Sequence, residues 1–189
     1  LVGVYHPFVI NCGTGTTTMT GTLNQYANIT YSGGSFNPSG STLVMYSGIT
    51  LNTPASSMAW NNLNIASQTS TVTLSADTLV TGTTQLATLG SGNASQLTIN
   101  GNNLYCYNLY QFPGLSTQSY VNGTTGIIIT GTSTTVGGMT GGTPSSYIGY
   151  ISNTFTINTP GTLNIYGRWG FTGNITDTQG SVCAENGQL

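Results

Sequence analysis

The stretch Thr71-Val-Thr-Leu-Ser-Ala-Asp77 carries the clearest indication of fold class, because its residues alternate between apolar and polar. Val72, Leu74 and Ala76 fall on one side, and Thr, Ser or Asp occupies the positions between them. A period of two is that of a β-strand with one face in a core. Because Leu163–Phe171 alternates in a similar way, the pattern predicts half-buried strands in both halves of the chain.

Strand patterns of this kind recur along the whole chain, whereas no segment keeps apolar residues at helical spacing. Breaks such as Ser32–Gly34 and Gly90–Gly92 separate the strands at hairpin-like distances. We therefore expect an all-β protein built as an Ig-like or pilin-like β-sandwich. Since no repeat of fixed period is visible, a solenoid is not expected. The Gly- and Thr-rich stretch Gly131–Ser146 is expected to be a long loop.

The N-terminal decapeptide Leu1–Ile10 is the most apolar stretch of a chain otherwise rich in Thr and Asn. Pro7 has no N–H to donate, so this segment suits an edge strand or irregular pairing. It is either the first strand of the chain's own domain or an extended donor strand that fills a groove in the next subunit. The second interpretation divides the chain into a tail, 1–11, and a single sandwich head, 12–189. Its donor-strand residues are Val2, Val4, Tyr5, His6, Phe8, Val9 and Ile10.

Charge is nearly absent: the 189 residues include one Lys or Arg and three Asp or Glu, so 2% are charged, against about 25% in an ordinary domain. A surface of Thr, Ser, Asn and Gly responds little to pH or salt. Nucleic acid is excluded as a partner, because phosphate binding needs several cations and Arg168 stands alone. Near-neutral proteins tend to associate, so we expect either bulky glycans or intended assembly.

Four Asn-X-Ser/Thr sequons are candidate N-glycan acceptors, at Asn28, Asn93, Asn122 and Asn174. Three of them sit in or beside Gly-containing, turn-like sequence, and Asn28 falls on the polar side of an alternating segment.

No apolar run approaches the roughly 20 residues of a membrane span. The first residue is Leu1 rather than Met, which favours a signal peptide already removed and an extracellular location.

The three cysteines form neither a zinc-binding nor a haem-attachment pattern. In an oxidising compartment the simplest account is one disulfide and one buried thiol. Cys12 with Cys183 would tie the two chain ends together, and Cys12 with Cys106 is nearly as favourable. Sequence does not determine the connectivity.

Groups for catalysis are few: His6, Asp77, Asp177, Glu185 and the cysteines are scattered along the chain. Paired carboxylates or a Cys–His pair would need residues that the sequence does not bring near one another. We therefore expect no enzymatic activity, no metal site and no cofactor. The 11 Tyr and two Trp leave open a sugar-binding surface, although aromatic number alone does not make one.

In character the chain resembles the subunits of archaeal thread filaments from thermoacidophilic Sulfolobales. The resemblance rests on the apolar tail Leu1–Ile10, on Cys12 behind it, on the charge-poor body and on the four sequons. It implies a type I pilin-like sandwich and N-glycosylation. It also implies a cell-surface filament in which identical subunits join head to tail by donor-strand complementation, for adhesion or biofilm formation. A secreted glycan-binding adhesin, an S-layer component and a viral coat protein are the alternatives.

Overall fold

A computed structural model describes the chain from Gly3 to Ala184, with gaps. The described residues are 3–46, 48–66, 71–87, 96–98, 101–112, 120–122, 127–129, 133–138, 148–151, 154–165, 168–171 and 173–184. They form β-strands joined by turns, and no helix occurs among them. The all-β class predicted from the alternating sequence is therefore confirmed.

The strands are numbered in chain order. The first nine are β1 Phe8–Thr18, β2 Gly21–Gln25, β3 Ile29–Asn37, β4 Ser41–Met45, β5 Thr50–Asn52, β6 Asn62–Ile65, β7 Thr71–Leu74, β8 Thr78–Ala87 and β9 Gln96–Thr98. The others are β10 Leu104–Phe112, β11 Tyr120–Asn122, β12 Ile127–Ile129, β13 Ser133–Gly138, β14 Ile148–Ile151, β15 Phe155–Ile165, β16 Arg168–Phe171 and β17 Ile175–Ala184.

These strands form two sheets, and successive strands alternate between them, except that β12 and β13 both lie in the second sheet. The first sheet has the order β1-β3-β5-β7-β9-β11-β14-β16. The second runs β2-β4-β6-β8-β10, continues through β12 and β13 side by side to β15, and ends at β17. Every pairing between these strands is parallel. The molecule is a parallel β-solenoid in which a coil has two strands, or three where β12 and β13 lie side by side.

The predicted Ig-like or pilin-like sandwich is therefore wrong, and so is the view that a solenoid is unlikely. A sandwich pairs sequence neighbours antiparallel through hairpins, whereas here each strand pairs with the strand one full coil away. Alternation determines which face of a strand is buried, but the alternating pattern is the same in a sandwich and in a solenoid. It therefore does not determine which strands pair. Of the breaks expected to be hairpins, Ser32–Gly34 lies inside β3, where the pairing with β1 shifts register, and Gly90–Gly92 lies outside the described residues.

The repeat was hidden because its length changes along the chain. Leu23, Leu43 and Leu63 occupy equivalent positions in successive coils, 20 residues apart. Farther along, Leu109 pairs with Val136, 27 residues on. Strand β13 also lies inside the stretch predicted to be a loop. The coil therefore lengthens along the chain while the parallel pairing of its strands is kept.

The core is a set of columns that run along the solenoid axis between the two sheets. One column consists of Ile29, Leu51 and Leu74, all fully buried and in register in the first sheet. Leu43 and Leu63 form part of a facing column in the second sheet. Fully burying such a side chain contributes about 1.5–3 kcal/mol. Stability therefore accumulates with each coil that covers the previous one.

A loop between β5 and β6 carries a fully buried tryptophan. Trp60 is fully buried, forms a bridge with Val80 and donates from Nε1 to Thr53 Oγ1 at 3.2 Å. Its ring meets the Phe36 ring edge-on, with centroids 5.4 Å apart. This loop is therefore anchored in the core rather than loosely attached to it.

Candidate functional site: the two ends of the solenoid

The N-terminal segment lies on the first coil of its own chain. Val4 bridges Gln25 in parallel, Val4 N donates to Asn24 O at 2.9 Å, and Tyr26 N donates to Val4 O at 2.9 Å. After the turn that contains Pro7, residues 8–10 begin β1 and pair with β3. We call residues 4–6 the partial rung, because Val4 extends the second sheet by one short position beyond β2. The chain then enters the first sheet as β1.

A buried polar side chain holds this segment down. Gln25 occupies a core column in register with Met45, and both are fully buried. Its Nε2 donates to His6 O at 3.1 Å and to Ala27 O at 2.8 Å, while Oε1 has no hydrogen-bond partner in the described structure. An unpaired buried oxygen costs stability, so the two donated bonds must offset it.

Three tyrosines stack in a ladder beside the same corner. The Tyr5 and Tyr26 centroids are 4.5 Å apart with planes at 15°, and those of Tyr26 and Tyr46 are 4.8 Å apart at 9°. These spacings match the separation of parallel strands, about 4.8 Å. Desolvation by its surroundings, then the neighbouring phenols of Tyr5 and Tyr46, raise the pKa of Tyr26. Tyr5 ends the ladder and is 66% exposed.

The C-terminal end is built differently, because the core columns are left open there. Ile175 is in register with Phe155, and Val182 with Leu163. Phe155 and Leu163 are buried, yet Ile175 is 48% and Val182 is 42% exposed. The β17 side chains that the structure describes, 175–182, are all exposed. Positions in register with the buried Phe155 and Leu163 are therefore exposed in β17.

The terminal strands also present unpaired backbone. In the described structure β1 pairs only with β3, β16 only with β14, and β17 only with β15. Unpaired edges are templates for another chain, and proteins usually guard them with charge or Pro. Strand β1 contains neither, and β17 contains only Asp177.

The predicted donor-strand residues fall into two groups. Phe8, Val9 and Ile10 lie in β1, with Ile10 in the core and Val9 59% exposed on the outer face. Val4, Tyr5 and His6 lie in the partial rung, where His6 is exposed, and Val2 lies outside the described residues. The extended donor strand expected alongside the sandwich is corrected by this placement, since a solenoid coil, not a sandwich groove, receives the segment.

Two of the four sequon asparagines have described side chains, and both are exposed at corners. Asn28 directly precedes β3 and accepts at Oδ1 from Thr50 N at 2.9 Å. N-glycosylation modifies Nδ2, so this bond does not compete with it. Asn174 directly precedes β17. Asn122 is the last residue of β11, and Asn93 falls outside the described residues.

Neither predicted disulfide fits this fold. Cys12 and Cys106 both have free thiols, so they do not pair with each other. Cys183 lies in β17, at the opposite end of the solenoid from Cys12 in β1, roughly 30 Å away at a strand spacing of about 4.8 Å. A disulfide needs Cα atoms within about 7 Å.

Burial raises the pKa of the Cys106 thiol to about 12, and the Thr84 hydroxyl opposes the shift.

The other chemistry-bearing residues are not brought together. Asp77 lies at the corner before β8, Asp177 is exposed in β17, and Arg168 begins β16 in the other sheet. Glu185 is outside the described residues. Within the described ranges, no group of three His, Cys, Asp or Glu could hold a metal ion. The absence of enzymatic activity stays a prediction.

Sequence reasoning missed the residues that define the two ends. Gln25, Tyr26 and Tyr46 follow Leu23 and Leu43 at matching offsets, and this 20-residue spacing could have revealed both the repeat and the ladder. Ile175 and Val182 are ordinary alternating residues in sequence. They are exposed because no described strand lies beyond β17 in the second sheet.

Comparison with known proteins gives no relative: no family model matches the chain, and neither a curated protein nor a solved structure shows significant similarity to it. The likeness to thread subunits therefore stays a hypothesis based on sequence character. Among the described residues, no helix long and apolar enough to cross a membrane is found.

Proposed function

We propose that this protein is the structural subunit of an extracellular, N-glycosylated surface filament in which identical solenoids stack end to end. The observation that carries the proposal is the open C-terminal end, where Ile175 and Val182 leave two core columns uncovered. A second copy whose first coil packs there would bury these side chains. The contact replaces the donor-strand joint that the sequence suggested.

The edge strands support the same contact. A copy that places β1 against β16 of its neighbour would continue the first sheet with parallel backbone hydrogen bonds, as in β-augmentation. Neither strand contains Pro, and the only charge on the two is that of Arg168. A joint between two different faces of the same subunit does not close on itself, so repetition gives a fibre.

The composition favours assembly as well. A formal net charge of −2 at pH 7 on 189 residues provides little repulsion between copies. Exposed asparagines of sequons lie at corners, which face away from the axis, so glycans at Asn28 or Asn174 would cover the sides of the fibre. Secretion and adhesion belong to this proposal, because N-glycans are added to proteins that leave the cytoplasm.

The test is a double charge substitution at the open end. Ile175→Lys together with Val182→Lys should leave a folded monomer, since both side chains are already about half exposed, and should abolish fibres seen by sedimentation and electron microscopy. The matched control is Tyr107→Lys, which charges a residue of similar exposure, 37%, in an interior strand. The control should assemble normally.

Fibres that persist in the double variant would contradict the proposal. Loss of fibres in the control as well would mean that charge anywhere prevents association, and would equally contradict a specific end contact. Planar sheets or closed shells in the same images would favour the S-layer or coat alternatives.

A further inference from the structure

A groove on the outer face of the second sheet is independent of the stacking ends. It has a volume of about 430 Å³ and is lined by Pro54, Ala55, Ser56, Asp77, Leu79 and Tyr105. Volumes of roughly 300–1,000 Å³ are those of small-molecule sites. The groove exists because the loop between β5 and β6 leaves the coil and returns at Trp60.

The rim of the groove is fixed by hydrogen bonds. Ala55 N donates to Asp77 O at 2.6 Å, and both Ser57 N and Met58 N donate to Pro54 O, at 2.9 and 3.0 Å. Met58 is buried in the core just beyond this turn. The rim therefore keeps its shape without a ligand, which lowers the entropic cost of binding.

The floor is aromatic and apolar. Leu79 and Tyr105 are register partners on β8 and β10, and their neighbours Thr78, Val80 and Leu104 are buried. Alternation therefore places Leu79 and Tyr105 on the outer face. Tyr107 follows on the same strand, is 37% exposed, and extends the aromatic surface beyond the groove.

One side of the groove carries a hydrogen-bond acceptor, the Asp77 carboxylate, in a fixed orientation. Asp77 Oδ1 accepts from Asn103 N at 2.7 Å, and Asn103 Nδ2 lies 3.5 Å from Oδ1 and 3.3 Å from Oδ2. A carboxylate has about four acceptor sites, so these bonds orient Asp77 and leave capacity for a ligand. The carboxylate disfavours anions, and the chain has a single Lys or Arg to attract them.

We propose that this groove binds a neutral saccharide. A pyranose ring presents an apolar C–H face, which packs on the Tyr105 ring, and hydroxyl groups at its edge, which donate to Asp77 and hydrogen-bond to Ser56. Tyrosine suits this use because it combines a large apolar face with a polar tip. The ligand is either an environmental polysaccharide or an N-glycan on a neighbouring copy, since both present the same chemistry.

The experiment is calorimetric titration of the full-length, non-glycosylated chain with neutral gluco-, manno- and galacto-oligosaccharides. An acidic oligosaccharide and a lysine-rich peptide serve as comparators. At least one neutral sugar should bind, and Tyr105→Ala should lower its affinity about tenfold. Ser56→Trp should abolish binding, because the indole fills the groove while the backbone hydrogen bonds of the rim stay intact. Tyr5→Ala removes an exposed tyrosine far from the groove and should leave the sugar affinity unchanged. Circular dichroism confirms that each variant folds.

The glycosylated protein separates the two sources of ligand. If it binds added sugar as the bare chain does, the ligand is environmental; if enzymatic deglycosylation is needed to restore binding, glycans of neighbouring copies occupy the groove. Either result supports the site. No binding of any neutral sugar, binding of the peptide alone, or affinity unchanged by both Tyr105→Ala and Ser56→Trp would overturn it. These results do not depend on whether fibres form.

Discussion

The two ends of the solenoid differ in whether described residues cover the last side chains of the core columns. At the N-terminal end, residues 3–7 fold over the first coil, Gln25 holds them, and Tyr5 stacks on Tyr26. At the C-terminal end, Ile175 and Val182 continue core columns and remain about half exposed. A stack of coils has no intrinsic end, since each coil offers the next the same surface. The comparison teaches that, among the described residues, a cap lies over the N-terminal end alone, and the other end is the one that the proposed stacking uses.

The largest expected effect compares two positions of the same core column. Phe155 is buried and its ring packs 5.1 Å from that of Phe171, so Phe155→Ala should lower the free energy of unfolding by about 3–5 kcal/mol. Ile175→Ala, one coil nearer the end, should cost under about 1 kcal/mol. Chemical denaturation of the monomer measures both. Equal costs would mean that the C-terminal end is covered after all.

The next effect concerns the cap at the other end. Gln25→Met keeps the volume of the side chain but removes both bonds from Nε2, so the backbone at His6 loses its anchor. We expect a change in unfolding free energy within about 1 kcal/mol, because the unpaired Oε1 also disappears. Hydrogen exchange at the amides of Val4 and Tyr26 should become faster. Gln85→Met, on the outer face of β8, is the control and should leave those amides unchanged.

Thiol chemistry distinguishes the interior from the first coil. With a pKa near 12 and full burial, Cys106 should resist thiol reagents at neutral to mildly alkaline pH, while the half-buried Cys12 reacts first. Because the folded state holds the Cys106 proton more tightly, the stability from this group is complete below about pH 9 and declines as the pH rises toward 12. Mass spectrometry of the labelled chain gives the order. Cys106 reacting as fast as Cys12 would show an interior open to solvent.

The smallest effect is in the tyrosine ladder. Removing the Tyr5 ring by Tyr5→Ala should move the pKa of Tyr26 down toward its ordinary value, because Tyr5 contributes to the shift through its phenol and a hydrogen bond. Tyr31→Phe, away from the ladder, is the control. Ultraviolet titration of the tyrosinates measures the difference. An unchanged Tyr26 would mean that the three rings do not remain stacked in solution.

Much of the local structure could be predicted from sequence, but the topology could not. Alternation around Val72 and Leu74 correctly gave a strand with that face buried, because side-chain burial acts residue by residue. Whether the partner strand comes from a hairpin or from the next coil depends on pairing over 20 or more residues. The offset from Leu23 to Leu43 was readable as a repeat, but the 27-residue offset from Leu109 to Val136 disguised it.

The candidate site was harder still. The exposure of Asn174 was predictable because it follows Gly173 in turn-like sequence, and the apolar N-terminal segment did prove to lie at one end of the fold. Nothing in the sequence around Ile175 or Asp77 marks an open column or a groove. Both features depend on three-dimensional neighbours: in the first case no described strand covers β17, and in the second a loop departs from the coil.

The most direct test of end-to-end stacking is the helical rise of native fibres, measured by cryo-electron microscopy or fibre diffraction. Stacked solenoids predict strands perpendicular to the fibre axis, with a meridional spacing of about 4.8 Å. The first sheet has eight strands, so each subunit should advance the fibre by about 38 Å at that spacing. Strands running along the axis, or a rise unrelated to eight coils, would contradict the account.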